Sequence, residues 1–171
     1  MTPLLIVDGY NILGAMKNIT GLSLEEQRRQ LCEMLQNYSG YTGSDIVLVF
    51  DGYKTNRQER SVNQLKGLTV VFTRKGETAD SYIERYAASC PRYREVRVAT
   101  SDGFEQSQVL STGAIRISAR EMLSELEQTT RSCYINHVQS AESRKSTKLA
   151  NHLSADIVDK LETIRRGADL K

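Results

Sequence analysis

The sequence has little of what marks several classes of protein. Only three of its 171 residues are cysteines and only two are prolines. The cysteines Cys32, Cys90 and Cys133 lie far apart and form no Cys-x-x-Cys pair, which argues against both a disulfide framework and a structural zinc site. With 39% hydrophobic and 26% charged residues, the composition excludes disordered and fibrous chains and leaves room for one domain.

Long hydrophobic runs are also missing. The first apolar run, Leu4 to Val7, is four residues long, carries no basic segment before it and is followed at once by Asp8, so it does not resemble a signal peptide. No stretch approaches the ~20 apolar residues that span a bilayer. We therefore expect a soluble, cytoplasmic protein with no membrane partner.

Neither sign of charge dominates, since 23 Lys and Arg face 21 Asp and Glu. A net charge of +2 is too small to hold nucleic acid by bulk charge alone, so an acidic partner would have to bind to local basic patches. The excess lies in the tail, because residues 131–171 carry a net +3 and residues 1–130 a net −1. We predict a domain over 1–130 and a basic C-terminal extension over 131–171 with one helix around Ile157 to Ile164.

Five short apolar or β-branched runs predict buried strands. They are Leu4 to Val7, Ile46 to Phe50, Leu68 to Phe72, Val96 to Thr100 and Ala114 to Ile117. Segments with helical spacing lie between them, and Ser23 with Glu26 forms the capping box of the longest one. The alternation predicts an α/β fold, a three-layer α/β/α sandwich around a mostly parallel five-stranded sheet.

Acidic residues follow several of these strands. Asp8, Asp51 and Asp102 each stand at a strand end, and Asp80 falls in the first turn of the next helix with Glu77 just before it. Because the carboxyl ends of parallel strands share one edge, these carboxylates should converge there. Packed carboxylates repel unless a cation neutralises them, and hard oxygen ligands suit Mg²⁺ or Mn²⁺. We predict no other small-molecule cofactor.

Each acid also has an ordinary explanation. Asp-Gly after a strand is common turn chemistry, an acid such as Asp80 favours the helix dipole, and Glu77 fits a solvated loop. Asn11, expected in the loop above the first strand, fits either turn stabilisation or contact with a water, a phosphate oxygen or Asp8. Only the joint occurrence of the acids at one edge favours a functional site.

A basic segment lies between Asp51 and Asp80. Residues 53–75 carry six cations against the single acid Glu59, and we expect this segment to border the acids and to grip a phosphodiester backbone. Tyr10 and Tyr53 stand two residues after an acid, where their rings either stack on bases or cap the core. The predicted RNA- or ribosome-binding residues are Tyr10, Tyr53, Lys54, Arg57, Arg60, Lys66, Arg74 and Lys75.

Other chemistries fit poorly. Gly-rich dinucleotide loops and phosphate-binding P-loops are missing, and both histidines, His137 and His152, lie in the tail, far from every strand end. Phosphatases with an aspartate nucleophile normally carry a second aspartate two residues on, where this chain has Tyr10. Such a phosphatase stays an alternative, as does a catalytically silent RNA- or ribosome-binding module.

Four motifs in order carry a resemblance to a known family. They are Ile-Val-Asp-Gly-Tyr-Asn-Ile (6–12), Val-Phe-Asp-Gly-Tyr (49–53), Gly-Glu-Thr-Ala-Asp (76–80) and Ala-Thr-Ser-Asp-Gly (99–103). Over about residues 3–125 they resemble the NYN-domain branch of the PIN-like nucleases and, more narrowly, the YacP-type ribosome-associated endoribonucleases of Gram-positive bacteria.

The resemblance implies a Mg²⁺- or Mn²⁺-dependent endoribonuclease. Asp8, Asp80 and Asp102 match the conventional acidic positions with Asn11 beside them, Asp51 fits the NYN pattern as a further metal ligand, and Glu77 is a looser match that supports the ligands without touching the ion. The resemblance further implies cleavage of messenger RNA in the ribosomal decoding (A) site, with the 50S subunit and its ribosomal RNA as partners.

Overall fold

The computed structural model describes residues 2–17, 19–52, 59–100 and 113–132 of the chain. These residues belong to a compact unit spanning Met1–Arg131, apart from Ser132. The helix expected around Ile157 to Ile164 and the predicted site residues Tyr53, Lys54, Arg57 and Asp102 lie outside the described residues. Those expectations stay predictions.

The described residues form one six-stranded sheet. Its strands are β1 (Leu4–Asp8), β2 (Asp45–Phe50), β3 (Ser61–Leu65), β4 (Leu68–Phe72), β5 (Val96–Thr100) and β6 (Ile115–Ser118). Their order across the sheet is β3-β4-β2-β1-β5-β6, and every neighbouring pair is parallel except β3 and β4. The predicted mostly parallel sheet is confirmed, with boundaries within a residue or so for the five expected strands.

The expected number of five strands is wrong, because β3 was not predicted. This strand carries Ser61, Asn63 and Gln64, and its residues are exposed apart from the half-buried Ser61. An edge strand with little burial has no continuous apolar run to reveal it. Its pairing is antiparallel to β4, from Ser61 beside Phe72 to Leu65 beside Leu68, so the turn at residues 66–67 lies at the start of β4.

Four helices of the described residues flank the sheet. They are α1 (Gly9–Ala15), α2 (Leu24–Thr42), α3 (Ala79–Ser89) and α4 (residues 119–132). The predicted capping box of α2 is confirmed: the Ser23 hydroxyl accepts from the Glu26 N–H at 3.3 Å, and the Glu26 carboxylate accepts from the Ser23 N–H at 2.8 Å. None of the helices within the described ranges has the length and apolar character of a membrane span.

Helix α1 replaces the loop that was expected above the first strand. It is only seven residues long and contains Gly9 and Gly14, so its apolar positions are too few to show helical periodicity. The Asp8 carboxylate, which caps its N-terminus, stabilises it locally. Asn11 therefore lies within a helix.

The buried residues form two cores, one on each face of the sheet. Leu5, Val7 and Leu48 belong to the core that contains Ile12 of α1, Leu31 of α2 and Met122 of α4. Ile6 and Val49 belong to the other core, together with Ile83 of α3. This confirms the three-layer sandwich. The five parallel strands end together at Asp8, Phe50, Phe72, Thr100 and Ser118, and we call this side of the sheet the carboxyl edge and the opposite side the amino edge.

Candidate acidic site at the carboxyl edge

The structure brings Asp8, Asp51 and Asp80 to the carboxyl edge. Asp8 is the last residue of β1, Asp51 follows β2 directly, and Asp80 is the second residue of α3. The strands β1 and β2 are neighbours, with Asp8 beside Val49. After burial, which is the largest cause, the charge of Asp51 adds to the raised pKa of both Asp8 and Asp80, so the three carboxylates share one electrostatic environment.

Asp8 is held by the helix that follows it. Its Oδ1 accepts a hydrogen bond from the Asn11 N–H at 3.1 Å, which ties the carboxylate to the first turn of α1. Burial raises its pKa above the ordinary 3.8, the hydrogen bond from Asn11 opposes this, and the charges of Asp80 and Asp51 raise it further. A bound cation would stabilise the charged form of this carboxylate.

Asp80 occupies the position that an acid takes to favour a helix dipole. The Thr78 hydroxyl caps α3 by accepting from the Ser81 N–H at 3.2 Å, and Asp80 lies in the first turn. Such a place normally lowers the pKa of a carboxyl group. Here burial and, after it, the charge of Asp51 raise the pKa instead. Burial first, and the charge of Asp51 second, therefore outweigh the helix terminus.

A buried threonine joins the loops that carry Asp51 and Asp80. The Thr73 hydroxyl accepts from the Gly52 N–H at 2.9 Å and donates to the Glu77 carbonyl at 2.7 Å, and the Thr73 side chain is fully buried. Gly52 is required there, because a Cβ atom on it would stand 1.7 Å from the Thr73 carbonyl oxygen. Sequence reasoning missed Thr73, since a threonine after a strand has no distinguishing spacing.

Glu77 is buried, so the expectation that it fits a solvated loop is wrong. Its carboxylate accepts from the Arg60 Nη2 at 2.8 and 3.0 Å and from the Arg85 Nη2. Burial opposes its charge, but the hydrogen bonds from Arg85 and Arg60 prevail and lower the pKa of Glu77. The residue links β3, the loop before α3 and α3 itself, and so supports the segment that carries Asp80.

Tyr10 belongs to an aromatic cluster against the core. Its ring meets Phe50 edge-on with centroids 5.1 Å apart, and its hydroxyl accepts from the Arg28 Nη2 at 2.7 Å. The Arg28 guanidinium lies 5.6 to 5.8 Å from the ring centroids of Tyr10, Phe50 and Phe72. These contacts favour the core-capping role of Tyr10 over base stacking. Arg28 was not anticipated, because only the fold brings α2 to these rings.

The basic segment is split by the fold. Arg74 and Lys75 are exposed and follow β4 at the carboxyl edge, as expected. Arg60 pairs with Glu77, and its guanidinium lies 5.1 Å from the Tyr82 ring centroid. Lys66 lies in the β3–β4 turn at the amino edge, so the expectation that it borders the acids is wrong. One strand length, about 16 Å for five residues, separates it from the acidic side.

Two polar atoms close to the carboxyl edge are buried without hydrogen-bond partners among the described residues. They are the Asn11 Nδ2 and the Thr100 Oγ1. Thr100 ends β5, next to β1, and was not predicted as a functional residue. A buried donor such as the Asn11 amide normally finds an acceptor, and water or a phosphate oxygen would supply one.

The donor set at the edge suits a hard divalent cation. Asp8, Asp51 and Asp80 offer carboxylate oxygens, the ligands that Mg²⁺ and Mn²⁺ prefer. Within the described ranges, no three acidic, histidine or cysteine side chains stand close enough to enclose an ion. A cation at this edge would therefore take some of its ligands from water and phosphate oxygens, which is how Mg²⁺ is usually held.

Comparison with known proteins gives matches along nearly the whole chain. The family model described as "YacP-like NYN domain" matches residues 5–166. A curated relative, "Uncharacterized protein YacP" of Bacillus subtilis (strain 168), is 34% identical over 168 residues, covering 96% of this chain and 97% of the relative. The crystal structure of Rae1 (YacP) from Bacillus subtilis matches at 34% identity with a TM-score of 0.73, covering 97% of this chain and 96% of that one. A mutant of the same protein matches at 33% identity with a TM-score of 0.65.

Proposed function

The chain belongs to the YacP-like NYN domain family, and from this premise we propose that it is a metal-dependent endoribonuclease that cleaves messenger RNA. Family membership supports a nuclease-like role related to RNA. The observation that carries the finer proposal is the convergence of Asp8, Asp51 and Asp80 at the carboxyl edge. After burial, which is the largest cause, the charges of neighbouring acids add to the raised pKa of Asp8 and Asp80. A phosphodiester hydrolase that works with Mg²⁺ or Mn²⁺ needs such a cluster of acids.

The chain's own residues have separate tasks in this proposal. Asp8, Asp51 and Asp80 would hold the cation, which when bound activates a water and neutralises charge on the scissile phosphate. Asn11 keeps Asp8 oriented through its backbone N–H and can donate from its side-chain amide to a phosphate oxygen. Arg74 and Lys75, exposed beside the acids, would attract the RNA backbone. Asp102 keeps its expected place as a further metal ligand.

We extend the proposal to the ribosomal A site, with the 50S subunit as the docking surface and the cytoplasm as the compartment. The chain's small net charge of +2 supports this extension, because it gives weak attraction to free RNA. A large ribonucleoprotein that holds the enzyme beside a positioned strand would supply the missing proximity. The family resemblance implies the same setting.

A catalytically silent RNA- or ribosome-binding module is the second candidate. One observation favours it: the described residues contain no group of three side chains already arranged around an ion. Such a module would use Arg74, Lys75 and the basic tail, while its acids would serve only the fold. The two candidates differ in whether RNA is cut.

Cleavage of a labelled RNA by the purified chain tests the proposal. We expect internal cuts that require Mn²⁺ or Mg²⁺, stop in EDTA and fall about a hundredfold or more in Asp8→Asn and in Asp80→Asn. Asp45→Asn is the matched control, because Asp45 is an exposed aspartate at the amino edge whose contact is Arg94 at 2.5 Å, and it should cleave like the wild type.

The outcomes separate the two candidates. Unchanged cleavage by Asp8→Asn and Asp80→Asn would contradict the acidic site. A wild type that binds RNA and cuts none in either metal would favour the silent module.

A further inference from the structure

Two adjoining cavities lie on the face of the sheet covered by α1, α2 and α4, the first of them next to the carboxyl edge. The first has a volume of about 600 Å³ and is lined by residues of α1, β6 and the start of α4, among them Asn11, Arg116 and Arg120. The second, of about 750 Å³, lies between α1, α2 and α4. Ala15 and Arg120 line both cavities, so the two form one continuous depression.

The first cavity is rich in hydrogen-bond donors. Its wall includes the buried Asn11 Nδ2, which has no partner among the described residues, the half-buried Arg116 and the exposed Arg120. Among the described residues, the acid on this wall is Glu121, and its Oε2 already accepts from the Ser118 N–H at 2.9 Å. A buried amide donor beside the exposed Arg120 guanidinium suits an oxyanion such as phosphate.

The second cavity is more apolar. Met16, Met34 and Leu123 line it, and methionine side chains adapt to flat, polarisable groups. The Gln30 Oε1 on its wall is buried and has no hydrogen-bond partner within the described part of the chain. An apolar slot with one unused polar group suits a base, which stacks on its faces and hydrogen-bonds at its rim. Lys17 and Glu127 also line this cavity and balance each other in charge.

We propose that this depression binds one nucleotide of single-stranded RNA, its phosphate in the first cavity and its base in the second. The inference rests on the proposed function, because that function makes RNA the ligand. It places the nucleotide beside the acidic site: Asn11, on the wall of the first cavity, donates its backbone N–H to Asp8. The bound nucleotide therefore neighbours the scissile phosphate and fixes the strand's position.

The phosphate contact is tested by the affinity of the full chain for a short fluorescent oligouridine in EDTA, as a function of salt. Arg120→Gln should weaken binding about fivefold and reduce the slope of log affinity against log salt by about 0.7, the value for one lost phosphate contact on a single strand. Arg92→Gln is the control, because Arg92 is an exposed arginine just before β5 at the amino edge, and it should change neither quantity.

The base contact is tested with oligoadenosine, oligocytidine and oligouridine of equal length. The wild type should bind the three oligonucleotides with different affinities. Gln30→Leu, which keeps the side-chain size and removes the amide, should bring these affinities together. Equal affinities in the wild type, or a ranking that Gln30→Leu leaves intact, would overturn the assignment of the base to the second cavity.

Two further outcomes separate this inference from the proposed nuclease. If Arg120→Gln weakened binding of inorganic phosphate but left oligouridine affinity unchanged, the cavity would be a free-phosphate site and the inference would be wrong, whatever the chain cleaves. Suppose instead that the wild type never cut RNA, while Arg120→Gln bound oligouridine more weakly and Arg92→Gln did not. The nucleotide site would then stand and the nuclease proposal would be wrong.

Discussion

Thr73 shows how a residue that touches no substrate can control the spacing of the acids. Its hydroxyl accepts from the N–H beside Asp51 and donates to the carbonyl three residues before Asp80. Both partners are backbone groups, so the hydroxyl cannot be replaced by a shift of side chains. The distance between two of the three carboxylates therefore depends on one buried hydrogen-bonded group.

Thr73→Val keeps the shape of the side chain and removes its buried hydrogen bonds with the Gly52 N–H and the Glu77 carbonyl. We expect a loss of about 1–3 kcal/mol of stability and a roughly tenfold or larger fall in kcat and in Mn²⁺ affinity, with KM for RNA little changed. Thr73→Ser keeps the hydroxyl and should have nearly the kcat and the Mn²⁺ affinity of the wild type. Metal titration and steady-state kinetics at a temperature where each variant is folded provide the measurement. Equal kcat in the valine and serine variants would confine Thr73 to the fold.

The raised pKa of Asp8 has a consequence for stability. Burial raises this pKa, the hydrogen bond from the Asn11 N–H opposes the rise, and the charges of Asp80 and Asp51 add to it. The charged form of Asp8 therefore lowers the stability of the folded chain. This loss of stability is complete at pH values above the pKa of Asp8 in the folded chain. It disappears below the pKa of an aspartate in the unfolded chain, which is near 3.9. In EDTA at pH 7, Asp8→Asn, which can still cap α1, should raise Tm by about 2–4 °C, the shift that roughly 1 kcal/mol gives in a chain of this size.

The same variant provides its own pH control. The gain in Tm should shrink as the pH falls through the window between the raised pKa and about 3.9, because the wild-type carboxyl group then becomes neutral too. Thermal unfolding of both proteins across pH gives the comparison. A gain that persists below pH ~3.5 would arise from something other than carboxylate repulsion.

At the scale of single residues, the sequence pointed to Asp8, Asp51 and Asp80 because each stands at a recognisable boundary between strand and helix. Thr73 and Arg28 could not be found that way. Their contacts join segments about twenty residues apart, and nothing in their local spacing differs from ordinary core or surface positions.

Among the elements, the β3–β4 hairpin most changes the interpretation of the sequence. A continuous basic segment became a strand pair with one lysine at each end, Lys66 at the amino edge and Lys75 beyond the carboxyl edge. The inner strands β1, β2, β4 and β5 were predictable because burial on both faces forces long apolar runs. Strand β3 and the short α1 were not, because neither buries a periodic face long enough to be recognised.

Lys66 and Lys75 form a matched pair for testing where RNA lies. Both are exposed and of the same type, so Lys66→Glu and Lys75→Glu change the charge equally. We expect Lys75→Glu to weaken RNA binding about fivefold or more and Lys66→Glu to leave it nearly unchanged, because only Lys75 borders the acids. Fluorescence anisotropy at two salt concentrations measures both. Equal losses in the two variants would mean that binding follows overall charge.

For the whole molecule, the distribution of charge matters more than its sum. The first 130 residues are nearly neutral and the tail is basic. At physiological salt, charges farther apart than about 8 Å are largely screened from each other, so the small net charge says little about the attraction of one basic segment for a partner. Two basic segments in one chain, residues 53–75 and the tail, suit the proposed docking on a larger particle, which would raise the effective concentration of the chain at a bound RNA.

Sedimentation of a cell lysate through a sucrose gradient tests this docking. The chain should travel with 50S and 70S particles at low salt and move to the soluble fractions at high salt. A chain truncated after residue 131 should shift toward the soluble fractions, since it loses the basic patch. If the full chain stayed soluble at low salt and cut free RNA as fast as translated RNA, the ribosomal setting would be wrong and the nuclease proposal would stand.

The central position of β1 bears on how the chain folds as it is synthesised. Its strand neighbours are β2, about forty residues later, and β5, about ninety residues later. A nascent chain that has emerged only as far as β4 leaves one side of β1 unpaired, an open edge that invites association with other chains. The pairing of β1 with β5 is a contact of high sequence separation, and such contacts form slowly. The framework around Asp8 is therefore completed late, only when most of the domain has left the exit tunnel.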